Sequence, residues 1–409
     1  MYCKLNNYDC KFSKSIFCLV YIDFKIFLLL HKNLNMRVYF DNASTTPMTD
    51  EVVEVMCRIF KEDFGNPSSI HWHGRKTKSL IEQARKTVAK TINASISEVF
   101  FTSSATEANN MVLKNAVEYL HIKRIITSPT EHHCILHTVQ YLAISRLIEV
   151  IYLRVDQKGN PDTDQLTKLL EEDSSATMVS LMHGNNEIGT MIDLQLTGEI
   201  CKKFNVPFHC DAVQTIGKYP IDIQSSNISF LSASAHKFHG PKGIGFVYIS
   251  NEYILPAYIH GGAQERNMRA GTENVAAIAG LEKALDMSVK NMVENYKYVL
   301  NLRNLMKQQL SNSISDISFN GNQDDHFLAH ILSVSFPPGP KTEMLVMNLD
   351  INGISASSGS ACSAGIEEDS HVIQAIKHPK ERKTIRFSFS PYNTVEELNY
   401  TIEKLKEVI

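Results

Sequence analysis

The sequence predicts an α/β fold with a mostly parallel seven-stranded sheet covered by helices, followed by a smaller α+β C-terminal domain. Three observations predict it. Apolar runs of strand length alternate with helical patterns from about residue 50 to 290, the signature of right-handed crossovers between parallel strands. Past about residue 294 the alternation gives way to mixed helices and strands. The chain has 409 residues, 43% hydrophobic and 21% charged, so it can bury a large core without disulfides or metals.

The strand candidates are 99–102, 124–127, 149–153, 178–183, 207–211, 229–233 and 245–249. Each is a short run rich in β-branched or aromatic residues bounded by polar turns. Helical spacing of apolar residues appears over 75–90, 106–120, 135–144, 162–170 and 194–204. The stretch 273–312 reads as one long helix. Strand-like runs at 331–336 and 384–389, a helix at 343–349 and a closing helix at 395–408 make up the tail. The expected organisation is a large domain over 50–293 and a small one assembled from 36–49 and 294–409.

Residues 1–35 stand apart. They contain no Ala, Gly, Glu, Arg or Pro, yet hold seven aromatics and three of the eight cysteines. They read as an atypical leader outside the folded domains, with normal composition starting at Met36. The basic and acidic side chains number 41 and 44, a net charge of −3, which gives no support for direct nucleic-acid binding. No apolar run reaches the roughly 18 residues a membrane span needs without charges. The cysteines are scattered with no C-x-x-C pair, which fits a reducing, cytoplasmic setting better than a disulfide framework.

Ligands of parallel sheets bind outside the carboxyl ends of the strands, so the residues after each strand carry the information. After 99–102 comes Ser103-Ser104-Ala105-Thr106-Glu107, small and hydroxyl residues opening a helix, able to cap it or to expose N–H groups to an anion. After 124–127 comes Glu131-His132-His133-Cys134. His133 and His137 have the spacing of two metal ligands on a helix, but Cys134 stands where a zinc-protease motif needs Glu, so no metal is expected. Asp211 ends another strand, as a cap or as the partner of a cationic ring nitrogen. Lys237 follows 229–233 after small residues. Lysine is rarely buried unpaired, and one placed at the mouth of a sheet is a Schiff-base candidate. A lysine, a carboxylate, a stacking histidine and phosphate donors together match what pyridoxal 5'-phosphate needs.

From about Tyr39 onward the sequence resembles the cysteine desulfurases of the NifS/IscS type, in the class-V aminotransferase family of fold type I pyridoxal-phosphate enzymes. The resemblance is carried by Phe40-Asp41-Asn42-Ala43-Ser44-Thr45-Thr46-Pro47, Gly65-Asn66-Pro67-Ser68-Ser69, the runs 183–189, 211–214 and 234–243, Arg269-Ala270-Gly271-Thr272, and above all Ser357-Ser358-Gly359-Ser360-Ala361-Cys362. It implies that Lys237 holds the cofactor covalently, Asp211 keeps its ring nitrogen protonated and Gln214 bonds its phenolic oxygen. It implies that His132 stacks on the ring and helps move protons. Ala105, Thr106, Ser234 and His236 are the implied phosphate ligands, with Thr272 reaching the phosphate of a neighbouring subunit in a homodimer. Asn186 and Arg386 are the implied grip on the substrate carboxylate.

Cys362 is the implied nucleophile. It takes sulfur from L-cysteine as a persulfide, releases L-alanine, and passes the sulfur to an acceptor protein, an iron–sulfur scaffold or a tRNA-thiolation enzyme. An aminotransferase on the same cofactor has no need of that cysteine, whereas a selenocysteine lyase could use it. Two positions depart from the family pattern: Ser104 and Ala263 stand where glycine is usual. Were the backbone at Ser104 left-handed, serine there would cost about 1 kcal/mol.

Overall fold

The computed structural model describes residues 36–358 and 370–409. The 1–35 leader and Cys362 lie outside the described residues. The chain opens with β1 (Val38–Tyr39), α1 (Asp50–Glu62) and α2 (Trp72–Thr91). It then alternates: β2 (Val99–Thr102), α3 (Ala105–Tyr119), β3 (Arg124–Thr127), α4 (His133–Arg146), β4 (Glu149–Tyr152), α5 (Thr163–Glu172), β5 (Thr177–Met182), α6 (Leu194–Lys203) and β6 (Phe208–Asp211). Next come β7 (Phe230–Ser234), β8 (Gly245–Ile249), α7 (Val275–Lys290), α8 (Met292–Ser313), β9 (Ser318–Asn320) and β10 (Ile331–Phe336). The tail is α9 (Leu345–Ile351), β11 (Ile354–Ser355), α10 (His371–Ala375), β12 (Lys383–Ser388) and α11 (Val395–Val408).

Seven strands form one sheet in the order β2-β8-β7-β6-β5-β3-β4. Only β8 runs antiparallel to its neighbours. All six residues of β5 are buried, as expected of a strand covered on both faces. On one face, α2 and α7 bring Ile81, Ala84, Val88, Ile278 and Leu281 against Phe101, Leu231 and Phe246. On the other, α3 and α4 bring Ala108, Val112 and Val139 against Ile125, Met178 and Phe230. A three-stranded antiparallel sheet, β12-β10-β9, forms a second core with α8 and α11 through Leu302, Met306, Val334, Phe387 and Leu398. No helix among the described residues is long and apolar enough to cross a membrane.

The expected 273–312 helix is two helices, not one. The break falls at Asn291 (φ −103°, ψ 11°), a residue that competes with the helix for backbone hydrogen bonds. Two pairings were invisible to local patterning: β1 joins β11 in a parallel ladder, Val38 opposite Ile354, and Asp41 bridges Ser388. They return the segment between β1 and α1 to the second core and leave Ala43 and Ser44 at the edge of the large sheet.

Candidate active site

Asp211 closes β6, Ser234 closes β7 and α3 starts two residues after β2. All three lie at the carboxyl edge of the sheet, where an open cleft of about 870 Å³, solvent at its mouth included, is lined by Ala105, Thr106, His132, Asn186, Asp211, Gln214, Ser234, His236, Lys237 and Arg386. The structure therefore brings together every expected site residue but two. Thr272 is exposed just before α7 and does not line this cleft, and Cys362 lies outside the described residues.

Lys237 reaches the cleft from the turn after β7, its Nζ donating to the carbonyls of Ala43 (2.7 Å) and Ser44 (2.6 Å). Asp211 is buried, with Oδ2 accepting from Asn109 Nδ2 (2.8 Å) and Oδ1 from the Val213 N–H (3.0 Å). Burial raises its pKa, tempered by those two donors and by the Lys237 charge. A carboxylate held chiefly by neutral donors is suited to an added N–H cation. His132 caps α4: its Nδ1 accepts the Cys134 N–H (3.2 Å). That bond leaves the ring proton on Nε2. Burial, then the Lys237 charge, pushes His132 down to about 4, so it is neutral at physiological pH.

Ser104 does not strain the chain. Its φ is −172°, extended backbone, and its side chain caps α3 by accepting from the Glu107 N–H. Ala263 likewise has a negative φ of −80°. The departures from glycine thus carry no backbone penalty. A glycine does matter on the opposite wall. A Cβ on Gly245 would lie 3.0 Å from Ser104 C and 3.2 Å from Ala105 N, and inside contact distance of the Ala233 carbonyl. Its absence lets β8 pass close beneath the first turn of α3. The N–H groups of that turn have no acceptor within the helix, and a helix N-terminus attracts a phosphate.

These observations fit pyridoxal phosphate: an amine, a buried carboxylate for the ring nitrogen, a neutral histidine and an open helix N-terminus around one cleft. A second group fits a small carboxylate. Arg386 is buried, with Nη2 donating to Asp41 Oδ1 and Ser44 Oγ (both 2.7 Å) and Nη1 to the Asn186 carbonyl (2.7 Å), while its Nε is buried without a partner.

Several groups at the site escape sequence reasoning. Asn109 anchors Asp211. Cys134 lines the cleft, its Sγ 3.0 Å from His132 Nδ1 and 3.1 Å from Asn109 Nδ2. Asp41 ties Arg386 to Ser357, whose Oγ donates to the same Oδ1 (2.9 Å). At the far end of the 359–369 segment, Ser370 Oγ donates to Glu187, an acid whose pKa burial raises. The only local signal for Asn109 was a polar side chain on the apolar face of a helix.

The buried histidines set an acid limit. His132 and His239 are pushed down to about 4, and His183, His209 and His236 to about 3, in every case chiefly by burial. An unfolded histidine titrates near 6.5. Between pH 6.5 and these values the unfolded chain binds more protons, so stability falls as pH falls. Burial raises Glu131, Glu187 and Asp211, which acts in the opposite direction but through fewer groups. The melting temperature should therefore drop from pH 7 to pH 5 in scanning calorimetry. A melting temperature that rose on acidification would contradict these burial assignments.

Residues 38–400 match the family described as Aminotransferase class-V. The chain is 42% identical over 382 residues to the cysteine desulfurase IscS of Dictyoglomus turgidum, covering 92% of this chain and 95% of that protein. Among solved structures it is similar to a NifS-like protein (38% identity, TM-score 0.84, covering 91% of this chain and 99% of the other). It is also similar to SspA in complex with cysteine (31% identity, TM-score 0.74, covering 88% and 100%).

Proposed function

The chain belongs to the class-V aminotransferase family, and from that membership and the donor set of the cleft we infer its reaction. It is a pyridoxal-phosphate-dependent cysteine desulfurase, converting L-cysteine to L-alanine and handing the sulfur to an acceptor. The observation that carries the reading is that the Lys237 amine and the Asp211 carboxylate, from the ends of neighbouring strands, line one cleft with the open N-terminus of α3.

In this reading Lys237 is the covalent anchor, Asp211 bonds the ring nitrogen and Gln214 donates to the phenolic oxygen. The first-turn N–H groups at Ala105 and Thr106, with Ser234 and His236, hold the phosphate. When bound, the cofactor supplies an electron sink that lets the substrate α-proton leave and weakens its Cβ–S bond. The remaining work falls to the chain. His132 stacks over the ring and carries a proton on Nε2. Arg386 and Asn186 orient the substrate carboxylate, Arg386 through charge-assisted hydrogen bonds from its guanidinium. Cys362 accepts the sulfur as a persulfide.

The reading extends to a homodimer in the cytoplasm. Thr272 points to a phosphate in a second copy because it is exposed away from its own cleft. Phe60 on α1, Phe64 and Ile70 in the connection after it and Trp72 at the start of α2 are exposed, apolar surface that a second copy would cover. The acceptor in this reading is an iron–sulfur scaffold or a tRNA-thiolation enzyme.

The experiment is an absorbance spectrum followed by L-cysteine. The protein should carry the visible band of the lysine-bound cofactor and release alanine and sulfide in equal amounts under a thiol reductant. A band without sulfide would move the assignment to another reaction on the same cofactor. No band after reconstitution would overturn it.

A further inference from the structure

Behind the cleft lies a second chamber, lined among others by Lys218, Tyr219, His239, Tyr296, His330 and Phe389. None of its lining residues is a carboxylate. Lys218 Nζ lies 3.3 Å from His330 Nε2 and 3.4 Å from the main-chain carbonyl oxygen of Gln214. The same Nε2 lies 3.1 Å from Gln214 Oε1, and Gln214 Nε2 donates to the Ala43 carbonyl (2.9 Å). One imidazole nitrogen is thus shared between a lysine and the amide that lines the cofactor cleft.

Counting protons shows that both contacts cannot hold in every charge state. Burial and the charges of Lys218, Arg386 and Lys237 keep His330 neutral, so its ring carries one N–H. If Nε2–H donates to Gln214 Oε1, that nitrogen has no lone pair for an ammonium, and Lys218 fits beside it only as a neutral amine. If Lys218 is an ammonium, Nε2 must accept, the ring proton moves to Nδ1, and the Gln214 carbonyl loses its donor. The amide is then free to turn its carbonyl, rather than its NH₂, toward the cleft.

We propose that Lys218, acting through His330, is a positioning residue that decides which end of the Gln214 amide faces the cofactor. The proposal rests on the reading of Gln214 as the partner of the cofactor's phenolic oxygen. Titratable groups face Lys218 from several elements. The turn after β7 contributes His236, Lys237 and His239, α8 contributes Tyr296, the segment before β10 contributes His330, and Tyr219 is its chain neighbour. His236, His239 and His330 all have depressed pKa values, and in the holoenzyme Lys237 is the covalent anchor of the cofactor. Burial is the chief cause that brings Lys218 down to about 7, with a lesser push from the Lys237 amine before the cofactor is attached. Both charge states are then populated at working pH.

The test is a pH titration of the cofactor's visible band in the holoenzyme, for wild type, Lys218→Met, Gln214→Leu and the double variant. Wild type should show an inflection near neutrality that is lost in Lys218→Met and lost in Gln214→Leu. The double variant should match Gln214→Leu alone, the outcome of a cycle whose two sites act through one contact. Persistence of the inflection in Lys218→Met would overturn the proposal. So would a Lys218→Met effect of equal size in the Gln214→Leu background, because it would mark a charge acting through space. If Lys218→Met does not hold cofactor, His330→Asn replaces it: the asparagine can still donate to Gln214 but cannot relay a proton, and should abolish the inflection. Wild type lacking any visible band would refute the cofactor reading and not this inference specifically.

Discussion

Lys237→Ala is expected to leave a folded protein that has lost at least about 10³-fold of its cysteine turnover. Both halves follow from where the amine sits. Its Nζ donates to two carbonyls at the cleft wall, those of Ala43 and Ser44. Truncation opens those carbonyls toward the cleft, where water can replace the amine, so the melting temperature should change little. The groups that bind the cofactor without a covalent bond, Asp211 and the first turn of α3, are untouched. The variant should therefore still take up pyridoxal phosphate, but not as an adduct that survives denaturation. Borohydride treatment followed by unfolding separates the two cases. Wild type should keep the label on the chain and Lys237→Ala should lose it. Label retained in the variant would mean that another amine is the anchor. Lys218 would then be the first to examine, because burial brings its pKa down to about 7 and leaves part of it as free amine at neutral pH.

The expected strands at 99–102, 124–127, 245–249 and 331–336 coincide with β2, β3, β8 and β10, and the other expected strands shift by one residue. The reason is physical: each is an apolar run flanked by polar turns, the pattern of a strand covered on both faces. Because ligands collect at strand ends, Asp211 and Lys237 were legible from the same pattern. Other features depended on partners far away in sequence. The β1–β11 pairing joins residues more than 300 positions apart, and two-residue strands carry no periodicity. Asp41 is an ordinary turn acid until Arg386, 345 positions later, is laid beside it. His330 and Gln214 lie 116 positions apart. The conformation at Ser104 was legible only as a condition, because a missing glycine says what the backbone need not be rather than what it is.

Cys362→Ser is expected to keep the cofactor band and lose at least about 10³-fold of sulfide release. The step asked of the side chain is attack on the substrate sulfur. A sulfur–sulfur bond forms to Cys362 and the substrate Cβ–S bond breaks. Its electron pair stays with the carbon fragment, which takes a proton and leaves as alanine. Cysteine plus thiol thus becomes alanine plus persulfide with no external oxidant, and a reductant is needed only to free the sulfide afterwards. A serine hydroxyl does not ionise at neutral pH and cannot become a persulfide. The competing thiol is Cys134, which already lines the cleft beside His132. Position favours it, but chemistry does not. Burial and the neighbouring Asp211 push its pKa up to about 12, so almost none is thiolate at neutral pH, and the thiolate is the nucleophile. Its sulfur also accepts from Asn109, the residue that holds Asp211, which gives it a structural task. Cys134→Ala should therefore retain most of the sulfide release that Cys362→Ser loses. The reverse pattern, with Cys362→Ser active and Cys134→Ala inactive, would move the persulfide to Cys134 at the cleft wall.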